Sequence, residues 1–287
     1  MKKLVRIAII ISTLCLSLTS MARSLEDDVK FQGLQRHYYI SFPENADANT
    51  PVVICLHGHG GNYKGFIGFD YERVALQHGF AFCIPAGLES PAGHRSWNVG
   101  YPSQEGMKVD DVAFMVFLAK YLPAKYGLDK RNIFLTGLSN GGEMCYIMSY
   151  KHPEAFRAIC SFAGLQMRWT VDKLKSRGPV HFMEVHGTKD VTSYWEGDPD
   201  DKYGWGPYLA VPAAIANVVS NNRCTHYSKI DIPGINADSK PVILHLYDCG
   251  DAEVRLYEVV GGIHNWSNEN FDSYGEAMRF FEAHLVK

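Results

Sequence analysis

From residue 34 onward, apolar runs of strand length alternate with segments whose apolar residues recur at helical spacing. That order predicts a mostly parallel sheet flanked by helices, because parallel strands need crossover helices that cover both sheet faces. The runs read as strands are Leu34–Phe42, Val52–Leu56, Phe80–Ile84, Asn132–Thr136, Ala158–Phe162, Val180–Val185 and Val254–Val260. Val109, Val112, Ala113, Val116 and Phe117 fall at i, i+3, i+4, i+7 and i+8, which marks one face of a helix. Tyr274, Ala277, Met278, Phe281 and Leu285 predict a closing helix packed on the sheet. No repeat, low-complexity tract or linker interrupts the chain, so residues 23–287 are expected to form a single domain.

One segment joins strand to helix through a distinctive turn: FLTGLSNGGEM, residues 134–144. A Gly-x-Ser-x-Gly pattern alone is weak evidence in a glycine-rich protein. Here it follows an expected strand and opens an expected helix, the context in which such a turn holds a serine in a strained conformation at the end of a central strand. Ser139 is therefore the candidate nucleophile, with Gly137 and Gly141 leaving room for the chain to cross itself.

A serine hydroxyl needs a base, a carboxylate that orients the base, and donors for the oxyanion. Beyond the strand Val180–Val185 comes HGTKD, which places Asp190 past a strand end; beyond Val254–Val260 comes GGIHNW, which places His264 past the last strand. Serine, then aspartate, then histidine is the chain order of the α/β-hydrolase fold. Before the turn, Val52–Leu56 runs into HGHGG, and the backbone amides of His59 and Asn140 form the expected oxyanion pair, with Gly60 as substitute for His59. Asp110, Asp111 and Asp198 are rival acids. The first two begin a helix, whose N-terminus favours negative charge, and the third lies in an aromatic loop. His57 and His186 each precede a glycine at a strand end and are read as rings that satisfy nearby backbone groups.

Thr192–Tyr208, TSYWEGDPDDKYGWGPY, is too polar and glycine-rich for a core element yet carries many aromatics. Trp97, Tyr194, Trp195, Trp205 and Trp266 concentrate near the proposed catalytic loops and are expected to contact substrate. The chain opens with MKKLVR, an apolar stretch IAIIISTLCLSL and TSMA, the signature of a secretory signal peptide over residues 1–22. No later apolar run approaches the roughly 20 residues needed to span a bilayer. A secreted or periplasmic protein with no membrane span is expected. The formal net charge of −3 includes no basic run, which argues against nucleic-acid binding. No His-x-x-x-His or similar spacing suggests a metal, and no cofactor is expected. Export permits disulfides. Cys55, Cys83, Cys145 and Cys160 lie in core-like runs, whereas Cys224 and Cys249 lie in polar loops late in the chain and are the expected bridge.

The motifs LHGHGG at 56–61, PAG at 85–87, SWN at 96–98, VDDVAF at 109–114, NIFLTGLSNGGEM, HGTKD at 186–190, the Cys224 and Cys249 context and the closing GGIHNW together resemble a known group. It is the family of secreted esterases related to polyhydroxybutyrate depolymerases, in particular the carbohydrate esterases that include feruloyl and acetylxylan esterases. The resemblance covers nearly all of residues 23–287. It implies a serine esterase acting on feruloylated or acetylated plant polysaccharide, with feruloyl esterase as the leading reading. Acetylxylan esterase and polyhydroxyalkanoate depolymerase are alternatives, and an inactive carbohydrate-binding protein on the same fold is an alternative of another class. The family's closing motif resembles His-x-Trp-Pro; Ser267 replaces the proline here.

Overall fold

The computed structural model describes residues 23–287, so the expected signal peptide lies outside the described residues. In chain order the elements are β1 (Arg23–Phe31), β2 (Leu34–Phe42), β3 (Val52–Leu56), α1 (Asp70–Gln77), β4 (Ala81–Pro85), β5 (Leu88–Glu89), β6 (Arg95–Ser96), α2 (Asp111–Tyr126), β7 (Ile133–Leu138) and α3 (Asn140–Lys151). There follow β8 (Ala158–Phe162), α4 (Arg168–Lys173), β9 (His181–Gly187), α5 (Val211–Asn222), β10 (His226–Ile232), β11 (Val242–Asp248), β12 (Glu253–Val259) and α6 (Ser273–Ala283).

Ten strands form one sheet in the order β1-β2-β4-β3-β7-β8-β9-β12-β11-β10, while β5 and β6 pair separately. The inner strands from β4 to β12 run parallel. Antiparallel strands close both edges. Strands β3, β4 and β8 are buried at every position, as parallel strands covered on both faces require. One core lies between the sheet and α2, α3 and α5; the other lies between the opposite face and α1 and α6. This is the α/β-hydrolase architecture, extended at each edge.

All seven expected strands are present, three with the expected ends and four with ends that move by one or two residues. The helix at 111–126 is also present, but its buried face differs from the expected one. Phe114, Met115, Leu118, Ala119 and Leu122 are buried, whereas Val112, Ala113, Val116 and Phe117 are only half-buried. The helix is apolar around most of its circumference, so periodicity alone does not select the inward stripe. Asp111 heads the buried stripe because Arg36 of β2 meets it there: Nη2 donates to Oδ1 over 2.8 Å, and both side chains are fully buried. The C-terminal ends of the parallel strands share one edge of the sheet, and the expected catalytic residues all lie there, as ligand sites do in open α/β sheets.

Candidate active site

Ser139 is the single residue between β7 and α3, with φ 55° and ψ −121°. This conformation costs a side-chain-bearing residue about 1–3 kcal/mol unless its surroundings enforce it. Two hydrogen bonds do so: Ser139 N–H donates to the Phe162 carbonyl (2.8 Å), and the Ser139 carbonyl accepts from Glu143 N–H (2.9 Å). The turn is tight enough that a Cβ on Gly137 would lie 2.5 Å from the carbonyl carbon of Gly141, and one on Gly141 would lie 2.5 Å from the Leu56 carbonyl oxygen. Neither position admits a side chain.

Asp190 is buried just past β9. Its Oδ1 accepts from the backbone amides of Thr192 (2.8 Å) and Ser193 (2.7 Å), and its Oδ2 accepts from His264 Nδ1 (2.7 Å). With the Nδ1 proton directed at Asp190, the free Nε2 is the basic nitrogen. The two loops are fastened together upstream of this contact. Lys189 N–H donates to the Gly262 carbonyl (2.9 Å), and Gly261 N–H donates to Thr188 Oγ1 (2.8 Å). A Cβ on Gly187 would collide with the Gly262 carbonyl at 2.4 Å. No hydrogen bond joins Ser139 Oγ to His264 among the described residues, so the acid–base pair is formed and the serine hydroxyl is unattached.

Strand β12 lies three places from β7, and Trp266 brings its loop back. The indole is buried against Phe162 at 4.8 Å between centroids, Tyr71 at 5.5 Å and Phe69 at 5.7 Å. Ser267 then takes φ 59°, and its N–H donates to Asn265 Oδ1 (2.8 Å). Proline, with φ fixed near −65° and no N–H, fits neither requirement. The loop is held here by the Asn265 side chain and the Trp266 ring.

Two amides beside the elbow have no protein acceptor: among the described residues, neither His59 N–H nor Asn140 N–H donates a hydrogen bond. Gly60 N–H is committed to the Arg95 carbonyl (2.8 Å), which leaves His59 as the available donor of the two. The loop reaches the serine closely, since a Cβ on Gly58 would lie 3.4 Å from Ser139 Cβ. His57 is buried with its Nδ1–H on the Gly58 carbonyl (2.8 Å) and its Nε2 accepting from Gly87 N–H (2.9 Å). Burial pushes its pKa down to about 4, so the ring is neutral and structural.

The rival carboxylates are occupied elsewhere. Asp110 caps α2 through Ala113 N–H (2.9 Å). Asp111 pairs with Arg36 and also accepts from Asn98 N–H (2.8 Å). Asp198 accepts from Tyr203 N–H (2.9 Å) and exchanges two backbone bonds with Tyr208, which fixes the aromatic loop.

The aromatic residues divide into two groups. Trp97 is fully buried, donates its Nε1–H to the His57 carbonyl (2.9 Å), and is tied through its backbone to both ends of the Asn140 amide (2.7 and 3.1 Å). A ring enclosed on all sides offers no face to a ligand, so Trp97 and the similarly buried Trp266 support the loops and do not line a substrate wall. Trp205 lies 5.3 Å from the His59 ring and 5.1 Å from Tyr101. Trp195 is 6.0 Å from His186, and Tyr194 stacks on Tyr203 at 3.9 Å. These three are half-buried, and Trp205 and Trp195 bring the 192–208 loop against His59 and His186.

Sequence reasoning missed Tyr101, Glu143 and Glu184. Glu143, one turn into α3, is fully buried; burial pushes its pKa up to about 8, although the Tyr101 hydroxyl and the Asn140 side chain pull it back. Glu184 and His186 are both buried beneath Asp190. Their i, i+2 spacing on a strand was the available signal. Cys224 and Cys249 are joined, closing the open end of the β10–β11 hairpin where His226 pairs with Asp248, and the other four described cysteines are buried thiols.

Comparisons with known proteins bear on the family and the fold. The family described as esterase PHB depolymerase matches residues 36–174. A probable feruloyl esterase C from Aspergillus niger is 26% identical over 224 residues, 75% of this chain and 76% of that protein. Acetylxylan esterase A from Aspergillus awamori is 30% identical over 132 residues, 44% of this chain and 41% of that protein. Feruloyl esterase B from Talaromyces stipitatus is 26% identical over 44% of this chain, which spans 35% of that relative. Among solved structures, acetyl xylan esterase from Aspergillus awamori superposes with a TM-score of 0.62 at 16% identity, covering 90% of this chain and 99% of that one. TT1662 from Thermus thermophilus gives 0.57 at 14% identity, covering 92% and 99%. Both show the same fold.

Proposed function

Because the chain belongs to the esterase family of the PHB depolymerases, we propose that it hydrolyses carboxylic esters by a Ser139 nucleophile, with His264 as base and Asp190 as its orienting acid. The observation that carries this is the 2.7 Å His264–Asp190 contact set at the same sheet edge as a strained serine and two unpartnered amides. Ser139 Oγ attacks the ester carbonyl while His264 Nε2 takes its proton; Asp190 holds the imidazole in the tautomer with Nε2 free. The His59 and Asn140 amides receive the oxyanion. His264 then protonates the leaving alcohol, and the same base activates water to release the acid.

The substrate we propose is feruloylated plant polysaccharide. Feruloyl esterases are among the relatives, and Trp205, Trp195 and Tyr194 give the site flat apolar faces suited to a cinnamoyl ring. The acetylxylan reading is supported by the Aspergillus awamori relative and by the fold it shares. Release rates from methyl ferulate, acetylated xylan and a short hydroxybutyrate polymer decide among the three. Preference for acetylated xylan or the polymer would overturn the feruloyl assignment. A fluorophosphonate probe should label Ser139; a folded protein that does not label is a binder and no esterase. Export is part of the same proposal, and the exported chain should begin at Arg23 on N-terminal sequencing.

A further inference from the structure

Strand β9 carries Glu184 and His186 two residues apart, so both project from the face that packs against α3. Both side chains are fully buried. His186 Nε2 lies 2.8 Å from the Ser193 carbonyl, which can only accept, so Nε2 bears a proton. His186 Nδ1 lies 2.9 Å from Glu184 Oε1. Glu184 Oε1 also receives Gly164 N–H (3.1 Å), and the buried hydroxyls of Ser161 and Tyr146 lie near the same carboxyl without a hydrogen bond to it. Burial pushes the Glu184 carboxyl up, while His186, Ser161 and the Gly164 amide pull it back toward the ionised form, the form that leaves the Nδ1 proton on the imidazole. Asp190 Oδ2 lies 3.6 Å from His186 Nε2, on the same oxygen that receives His264.

We propose that His186 is a protonated positioning residue whose charge, anchored by Glu184, sets the basicity of His264 through Asp190. The inference rests on the Ser139, His264 and Asp190 reading above. A cation beside Asp190 Oδ2 competes with the His264 imidazolium for that oxygen, so it weakens the Asp190–His264 pairing in the protonated state. The site would then run from Glu184 through His186, Asp190 and His264 to Ser139, with charges alternating along it. Burial opposes a charged His186, but Glu184, Asp190 and the Ser193 carbonyl outweigh it and raise its pKa. The groups that face this pair from neighbouring elements are Glu143 and Tyr146 on α3, Ser161 on β8, and Asp190, Ser193 and Trp195 on the loop after β9.

The test is the pH profile of kcat/KM for p-nitrophenyl acetate in the unaltered enzyme, Glu184→Gln and His186→Gln. Removing the cation should move the acidic limb upward by about one pH unit, since a neighbouring charge typically shifts a pKa by that order. Activity above the limb should change much less than activity below it. A residue that only supports the fold would lower thermal stability and leave the limb in place, and an unmoved limb in either folded variant overturns the proposal. Nitrogen NMR of histidine-labelled unaltered protein gives a second readout that does not depend on the variants folding. Both His186 ring nitrogens should be protonated at pH 8; one unprotonated nitrogen overturns the proposal. That readout is independent of esterase activity, whereas full activity in Ser139→Ala would defeat the triad reading and leave the NMR result interpretable.

Discussion

At residue scale, the elbow combines chemistry with strain, and the two separate by substitution. Ser139→Ala should reduce ester turnover by about 10⁴ to 10⁶ with the fold intact. Ser139→Gly should be as inactive but more stable than Ser139→Ala by about 1 kcal/mol, because only glycine adopts φ 55° and ψ −121° without penalty. Equal melting temperatures for the two variants would mean that the turn stores no strain. Asp190→Asn should lower kcat by up to about 10⁴ through loss of the oriented imidazole. Asp198→Asn, which disturbs only the aromatic loop's hydrogen bonds, should cost far less; the reverse ranking would move the acid to Asp198.

At the scale of elements, two fastenings, an ion pair and a disulfide, bear on stability. The Arg36–Asp111 pair ties β2 to α2, and Asp111 also holds Asn98, beside the Trp97 that clasps Asn140. Asp111→Ala strands a buried guanidinium that sits over the Phe114 ring at 3.8 Å, and should cost about 3–5 kcal/mol in a denaturant titration. A loss below about 1 kcal/mol would mean that water reaches Arg36. The Cys224–Cys249 bridge closes a loop of sequence separation 25, and its removal by serine substitution should cost on the order of 3 kcal/mol while leaving turnover at 25 °C unchanged. In the proposed reading the 192–208 loop is the specificity element. Trp205→Ala should lower kcat/KM for methyl ferulate about tenfold, or 1.4 kcal/mol, and leave p-nitrophenyl acetate nearly unchanged. Equal losses on both substrates would assign Trp205 to support of the fold.

At the scale of the whole molecule, buried titratable groups give stability a maximum in pH. His57 is depressed to about 4 and His181 to about 3, both chiefly by burial. Between pH 6.5 and 4 the unfolded chain protonates these rings while the folded chain keeps them neutral, so stability falls as the pH falls. His57 alone contributes about 3 kcal/mol to that loss. Glu143, raised to about 8 by burial, has the opposite sign: above pH 4.5 the unfolded carboxyl is ionised while the folded one keeps its proton, so stability falls as pH rises toward 8. His186, also raised, acts in the same alkaline direction. Below pH 6.5 the two histidines outweigh Glu143, and above it Glu143 and His186 act unopposed by them. Urea midpoints should therefore peak near about pH 6.5. Glu143→Gln should flatten the alkaline limb and His57→Asn the acid one; a profile that rises steadily to pH 8 would contradict the Glu143 and His186 assignments, and one without an acid limb would contradict that of His57. We expect one cooperative transition throughout, because a single sheet carries both cores.

The sequence by itself determined the elements whose signals are local. Seven strands were legible because parallel strands are continuous apolar runs, and the elbow was legible because Gly137 and Gly141 are required by contacts within the turn and with the strand beside it. The proposed Ser139, Asp190 and His264 were singled out by their positions past strand ends, and the structure joins the last two; the disulfide was legible from its two polar contexts. Strands β10 and β11 escaped notice because an exposed antiparallel hairpin at a sheet edge lacks the continuous apolar run that marks buried strands. The inward face of α2 depended on a partner, Arg36, 75 residues away in sequence. Tertiary structure alone decided that Trp97 and Trp266 are internal supports, that Gly60 N–H is already bonded, and that Glu184 and His186 stand behind Asp190. Composition and spacing report which groups are present along the chain. Their charge, exposure and free hydrogen-bonding capacity depend on neighbours that only the packed fold brings within a few ångströms.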